Sequence, residues 1–172
     1  MNMEYKHLLD SNFHHDSKVW VYQCSRLFLL SEALEIEILL KNFTAGWVSH
    51  GVPVKGAGYL FFGQFIILMA DERMSGVSGC STDSSVRLIK EIEKQFAVNM
   101  FDRALLAFAV KDKIELLPMA QLQYAVDNGF ITPDTLYFNN LIQTKTELED
   151  NWIVPLKDSW LSKRVHFHHI GT

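Results

Sequence analysis

The stretch SGVSGCSTDSSV, from Ser75 to Val86, delivers Cys80 from a glycine-broken polar loop to the start of a helical run. A helix N-terminus presents unpaired N–H groups and a partial positive charge, and both favour thiolate over thiol. Ser81 and Thr82 follow directly and add hydroxyl donors, so the same turn suits a small anion. Asp83 opposes the thiolate by its charge. Nucleophilic thiol chemistry needs a base and an orienting group beside the thiolate. The expected candidates are His50 as base and Asp71 or Glu72 as orienting carboxylate. Arg103, after Asp102, is the residue type that grips a carboxylate or phosphate. Each residue also has a plain role. Cys80 can pack as a small hydrophobe beside the helix start, and His50 can cap the preceding helix near its negative end. Asp71-Glu72 can be a solvated strand end. Asp102–Arg103 can be a structural pair, and Cys24, on an apparent strand, reads as core.

His14-His15, His50, Cys80 and the three histidines of the tail HFHH are all zinc-competent side chains. No pair shows the close Cys/His spacing of a structural zinc site, so the sequence assigns no metal and no cofactor.

These residues must be positioned by the elements around them. Lys18 to Ser25 is rich in β-branched and aromatic residues and predicts a strand. Ser31 is placed to cap a helix in which Ile36, Leu40, Phe43 and Trp47 recur at helical spacing. Gly58–Phe62 and Phe65–Ala70 predict two strands joined by a type II′ turn at Gly63-Gln64. A helix is expected from about Thr82 to Phe96, with Val86, Ile89 and Phe96 inward and Ile92 at the margin. Strands over Arg103–Val110 and Lys113–Leu117 follow, joined at Lys111-Asp112. A shorter helix ending at Asn128-Gly129 and a strand at TLYFNN complete the body.

This order predicts an α+β fold: a ferredoxin-like split β-α-β-β-α-β antiparallel sheet with helices on one face, extended by a further β-α-β unit. One domain is expected over 1–172, with a polar segment at 1–17, the body at 18–140 and an irregular aromatic covering tail at 141–172. If the first strand runs up, the loop with His50, the loop with Asp71, Glu72 and Cys80, and the entry with His14 and His15 meet at one end of the sheet.

The strings VWVYQ, WVSHG, SGCSTDSSV, FDR, FNNLIQTK and WIVPLKDSW together resemble a small bacterial family known from Bacteroidetes. Its members are often labelled ABC transporter ATPase. The resemblance runs roughly from Lys18 to Trp160 and assigns no functional residue. An ATPase of that class needs a glycine-rich loop followed by Lys and Ser/Thr. The nearest text is Gly51 to Gly58, where Ala57 and Gly58 stand in place of those two residues and Pro53 removes an N–H. The ATPase label therefore describes no activity expected here.

The chain has 172 residues, 48% apolar and 21% charged, enough for a sizeable core. The net charge is −4 and no face is obviously basic, which argues against nucleic acid. Two cysteines make no disulfide framework and fit a reducing, cytoplasmic setting. The opening MNMEYKHLLDSNFHHD lacks the apolar core of a signal peptide, and the apolar run Tyr59–Ala70 is too short to span a bilayer. Two function classes are open: a non-catalytic binding or scaffold module, favoured here, and a small thiol enzyme or sensor using Cys80 with His50. The partner of the first would be another protein, a small anionic ligand or a second copy meeting through a sheet edge.

Overall fold

The computed structural model describes residues 2–73 and 79–167, with the backbone alone at 79–81. In chain order its elements are β1 (Lys18–Gln23), α1 (Leu30–Ala45), β2 (Val48–Ser49), β3 (Val52–Pro53), β4 (Lys55–Phe61), β5 (Phe65–Asp71) and α2 (Gly79–Phe96). Then come β6 (Leu105–Val110), β7 (Lys113–Pro118), α3 (Leu122–Asp127), β8 (Leu136–Phe138), α4 (Lys145–Asn151) and β9 (Ile153–Pro155). Helices and wholly antiparallel sheets make the fold α+β. Two units share the chain. One is built from Glu4–Asp102 and Asn140–Glu149, the other chiefly from Arg103–Asn139 and Asp150 onward.

The first unit is a three-stranded sheet of order β1-β5-β4. Its register decides which residues face which side. Trp20 lies opposite Leu68 and Tyr22 opposite Ile66, while Gly56, Gly58 and Leu60 lie opposite Ala70, Leu68 and Ile66. Ile66, Leu68 and Ala70 share one core with Ile36 and Leu40 of α1 and with Leu88, Ile89 and Ile92 of α2, so both long helices cover that face. Gly56 and Gly58 allow the close approach. A Cβ at Gly56 would lie 2.5 Å from Trp47 Cε3, and one at Gly58 would lie 3.1 Å from Leu40 Cβ.

All seven residues of β5 are buried, so its second face is covered too. Tyr5, Leu9 and Phe13 are buried, and the Tyr5 ring packs 5.7 Å from that of Phe61. The Tyr5 hydroxyl donates to Leu148 O, and Asp10 N–H donates to the Tyr59 hydroxyl at 3.1 Å. The segment before β1, expected to be merely polar, is thus core-forming through apolar residues four apart. Nor does β5 present an open sheet face for a partner.

Several local expectations shift. Ser31 does not cap α1: the N-cap is Leu29, whose N–H donates to the Glu32 carboxylate at 2.7 Å. Arg26 grips the same carboxylate with two N–H groups, at 2.7 and 2.9 Å. The β4–β5 turn is centred on Phe62 and Gly63, both at positive φ (55° and 62°), with Gln64 N–H donating to Phe61 O. Positive φ at both central residues is the type I′ pattern rather than II′. In α2, which begins at Gly79 rather than Thr82, Ile92 is fully buried and Val86 only half-buried. The stripe turns because Ser85 faces inward, donating to Thr82 O at 2.7 Å and lying 3.0 Å from the Tyr22 hydroxyl.

The second unit holds a four-stranded sheet of order β7-β6-β8-β9. Here β6, expected as the fourth strand of the split sheet, pairs with β7 and β8 instead. The tight Lys111-Asp112 turn (φ 48° and 61°) brings β7 back onto β6 locally. The tail is more regular than expected. It supplies α4 to the first unit and β9 to this sheet, and Trp152 is fully buried with its ring 5.7 Å from that of Phe138.

Candidate functional site

Strand register brings three segments to one end of the first unit's sheet. Lys18 at the start of β1 is opposite Ala70, and Lys55 at the start of β4 is opposite Asp71 at the end of β5. The expected orienting carboxylate is at this end but already engaged. Asp71 is buried, and Arg73 donates to it through Nε at 2.9 Å and a terminal nitrogen at 2.6 Å. Arg73 N–H adds a bond at 3.2 Å, His14 N–H one at 3.4 Å, and Lys55 Nζ lies 3.8 Å away. The Arg73 guanidinium holds the Asp71 carboxyl far below the usual carboxylate range. This is a buried, charge-assisted anchor for the chain on both sides of it.

Glu72 differs. It is half-buried, its Oε1 has no hydrogen-bond partner among the described residues, and burial pushes its pKa up against the pull of Lys18.

His50 does not cap α1. The helix closes at Gly46, whose N–H returns to Asn42 O and Phe43 O at 3.2 Å. His50 and Gly51 form the two-residue turn between β2 and β3, at φ 49° and 77°, and His50 is exposed. The side chains of Cys80 and Ser81 lie outside the described residues; their backbone belongs to the first turn of α2. Thr82 is half-buried, and its carbonyl accepts from Ser85. Arg103, expected as an anion ligand, is exposed just before β6 in the second unit. Cys24 is core, and burial raises its thiol pKa.

The glycine-bearing stretch compared with a phosphate loop has another role. Gly51 completes the β2–β3 turn, and Gly56 and Gly58 lie inside β4 against Trp47 and Leu40.

Two features go beyond the sequence reading: Asp16 as a third ligand-capable group beside the zinc-competent His14 and His15, and an exposed apolar row on α1. His14, His15 and Asp16 each bring one ligand-capable atom within 4.8 Å of the others. Along α1, Leu30, Leu34 and Ile38 are 79%, 55% and 61% exposed, and Leu27 and Leu29 just before the helix are exposed as well. Their spacing of four is present in the sequence, on the same helix as the inward stripe of Ile36 and Leu40. Comparison with protein-family models, curated proteins and solved structures yields no match to this chain. No described helix is long and apolar enough to cross a membrane.

Proposed function

We propose that the protein is a non-catalytic binding module of the cytoplasm that assembles with a second copy of itself through the outer face of α1. The observation that carries this is the exposed row Leu30, Leu34 and Ile38. Contiguous apolar patches larger than a few hundred Å² are uncommon on a monomer and mark interaction surfaces. Residues four apart form a ridge that packs into the groove of a facing helix. The row is also symmetric about Leu34. An antiparallel two-fold pairing sets Leu30 of one copy on Ile38 of the other, as an isologous interface requires. Exposed Ser31, Glu37 and Lys41 supply a polar rim. With Leu27 and Leu29 the row provides the apolar centre of the proposed interface.

The β1-α1-β4-β5-α2 order supports kinship with the split β-α-β-β-α-β arrangement, lacking its fourth strand. The resemblance to the small Bacteroidetes family is retained as a proposal of kinship without its ATPase label, because Gly51 to Gly58 is built as a turn and a strand. No ATP hydrolysis is proposed. The thiol reading is set aside, since His50 occupies an exposed turn and Asp71 is committed to Arg73. Thiol modification of Cys80 and anion binding by Ser81, Thr82 and Arg103 form no part of the proposal.

Sedimentation velocity over a wide concentration range tests the dimer. The expected result is a concentration-dependent dimer that Leu34→Glu converts to monomer while the circular dichroism spectrum is kept. A wild-type chain that stays monomeric at high micromolar concentration overturns it.

A further inference from the structure

We propose that His14, His15 and Asp16 form a binding site for one divalent transition-metal ion, open to water at its fourth position. The site is independent of the α1 face. The three side chains place one ligand atom each within a 4.8 Å sphere of mutual distances. His15 Nε2 lies 3.3 Å and His14 Nδ1 3.8 Å from the same oxygen, Asp16 Oδ2. Bonds of about 2.0–2.1 Å to a tetrahedral zinc set neighbouring ligand atoms about 3.4 Å apart, so small side-chain adjustments suffice.

The backbone that carries the three residues is held from both sides. His15 O accepts from Thr146 N–H at 3.0 Å and from the Thr146 hydroxyl at 3.1 Å. Ser17 N–H donates to His14 O and Lys145 N–H to Ser17 O. His14 N–H reaches the buried Asp71 carboxylate. Few backbone states must therefore be lost when a metal arrives. The two imidazole rings already lie against each other, centroids 3.9 Å apart and tilted by 36°.

One contact opposes the site. His14 Nδ1 accepts Asp16 N–H at 3.2 Å, and a metal at that nitrogen displaces this bond. It is a long, neutral bond, whose net contribution is modest beside a metal–imidazole bond. Of the nearby cations, Arg73 is paired with Asp71, and Lys55 donates to Asn12 O at 2.6 Å and lies 3.8 Å from the same carboxylate, so one positive charge is offset and one remains against the site.

Ligand type selects the metal. Two imidazoles with one carboxylate suit zinc, copper or nickel, whereas magnesium and calcium prefer all-oxygen shells. His15 and Asp16 side chains are 67% and 72% exposed, so the ion enters directly from solvent and exchanges readily. The sequence offered no signal of the familiar kind, since three consecutive ligands match no common metal motif.

The test uses the full chain with His166, His168 and His169 replaced by Gln, so that the tail cannot contribute. Zinc chloride is titrated in competition with a chromophoric chelator. One zinc per chain is expected, unaffected by excess magnesium. His15→Ala and, separately, Asp16→Asn should each weaken it at least tenfold. If zinc binding vanishes with the tail replacement alone, or if both single variants bind as the parent does, the site does not exist.

Discussion

Asp71 and Glu32 show how the same residue type does different work from what its neighbourhood in sequence suggests. Both carboxylates are clamped by an arginine nearby in the chain, Arg73 and Arg26 respectively. Arg26 and the Leu29 N–H lower the Glu32 pKa to about 2, and Asp71 is held lower still. A carboxylate whose folded pKa is depressed contributes its full stability above the unfolded value, about 4.3 for Glu and 3.9 for Asp. That contribution is lost as pH falls through the folded value. For Glu32 the window runs from about pH 4.3 down to about 2, and for Asp71 from about pH 3.9 downward. Urea midpoints at pH 6, 4 and 2.5 should fall steadily in the wild type. In Glu32→Gln with Asp71→Asn the midpoint should be lower at pH 6 and fall less on acidification. An identical pH slope in the variant would show that neither clamp stabilises the fold. The local spacing of these pairs, two and six residues apart, is in the sequence. Which acid each arginine takes depends on a tight turn and a helix start that only the fold sets.

At the scale of elements, β4 owes its place to what it lacks. Gly56 and Gly58 face the helices, and Trp47 lies over the bare backbone at Gly56. Gly56→Ala should push on a buried indole and cost about 1–3 kcal/mol, the usual range for overpacking, read as a lowered urea midpoint. No change would mean that Trp47 yields freely. The same strand explains why the glycine text near Gly51 misleads: the spacing of a phosphate loop arises here from a turn and a packing requirement. Strands β5 and β6 and the inward stripe of α1 were legible because apolar runs and periods of four are local signals. Three things were not legible. Seven consecutive buried residues in β5 carry no alternation, so nothing in the sequence told which face Asp71 would take. Pairing of β6 with β8 joins Phe108 to Tyr137, a long-range choice that no local pattern encodes. The segment before β1 looked polar because Tyr5, Leu9 and Phe13 are diluted among charges, though they are four apart.

On the scale of the whole molecule, two units each bury their own core, the first around Ile66, Leu68 and Ile89, the second around Phe108, Leu122 and Leu156. Neither core uses Leu30, Leu34 or Ile38. The face these residues make on α1 is exposed, and it is the surface proposed for association. The most direct measurement is a cross-link placed on the proposed two-fold axis. In a Cys80→Ser background, Leu34→Cys sets two thiols opposite each other where α1 meets its copy, within disulfide reach at close helix approach. After mild oxidation, a disulfide-linked dimer on a non-reducing gel is expected at micromolar protein. The same substitution at exposed Leu141, outside α1, should give little. A Leu34→Cys chain that oxidises no faster than Leu141→Cys contradicts the dimer through α1.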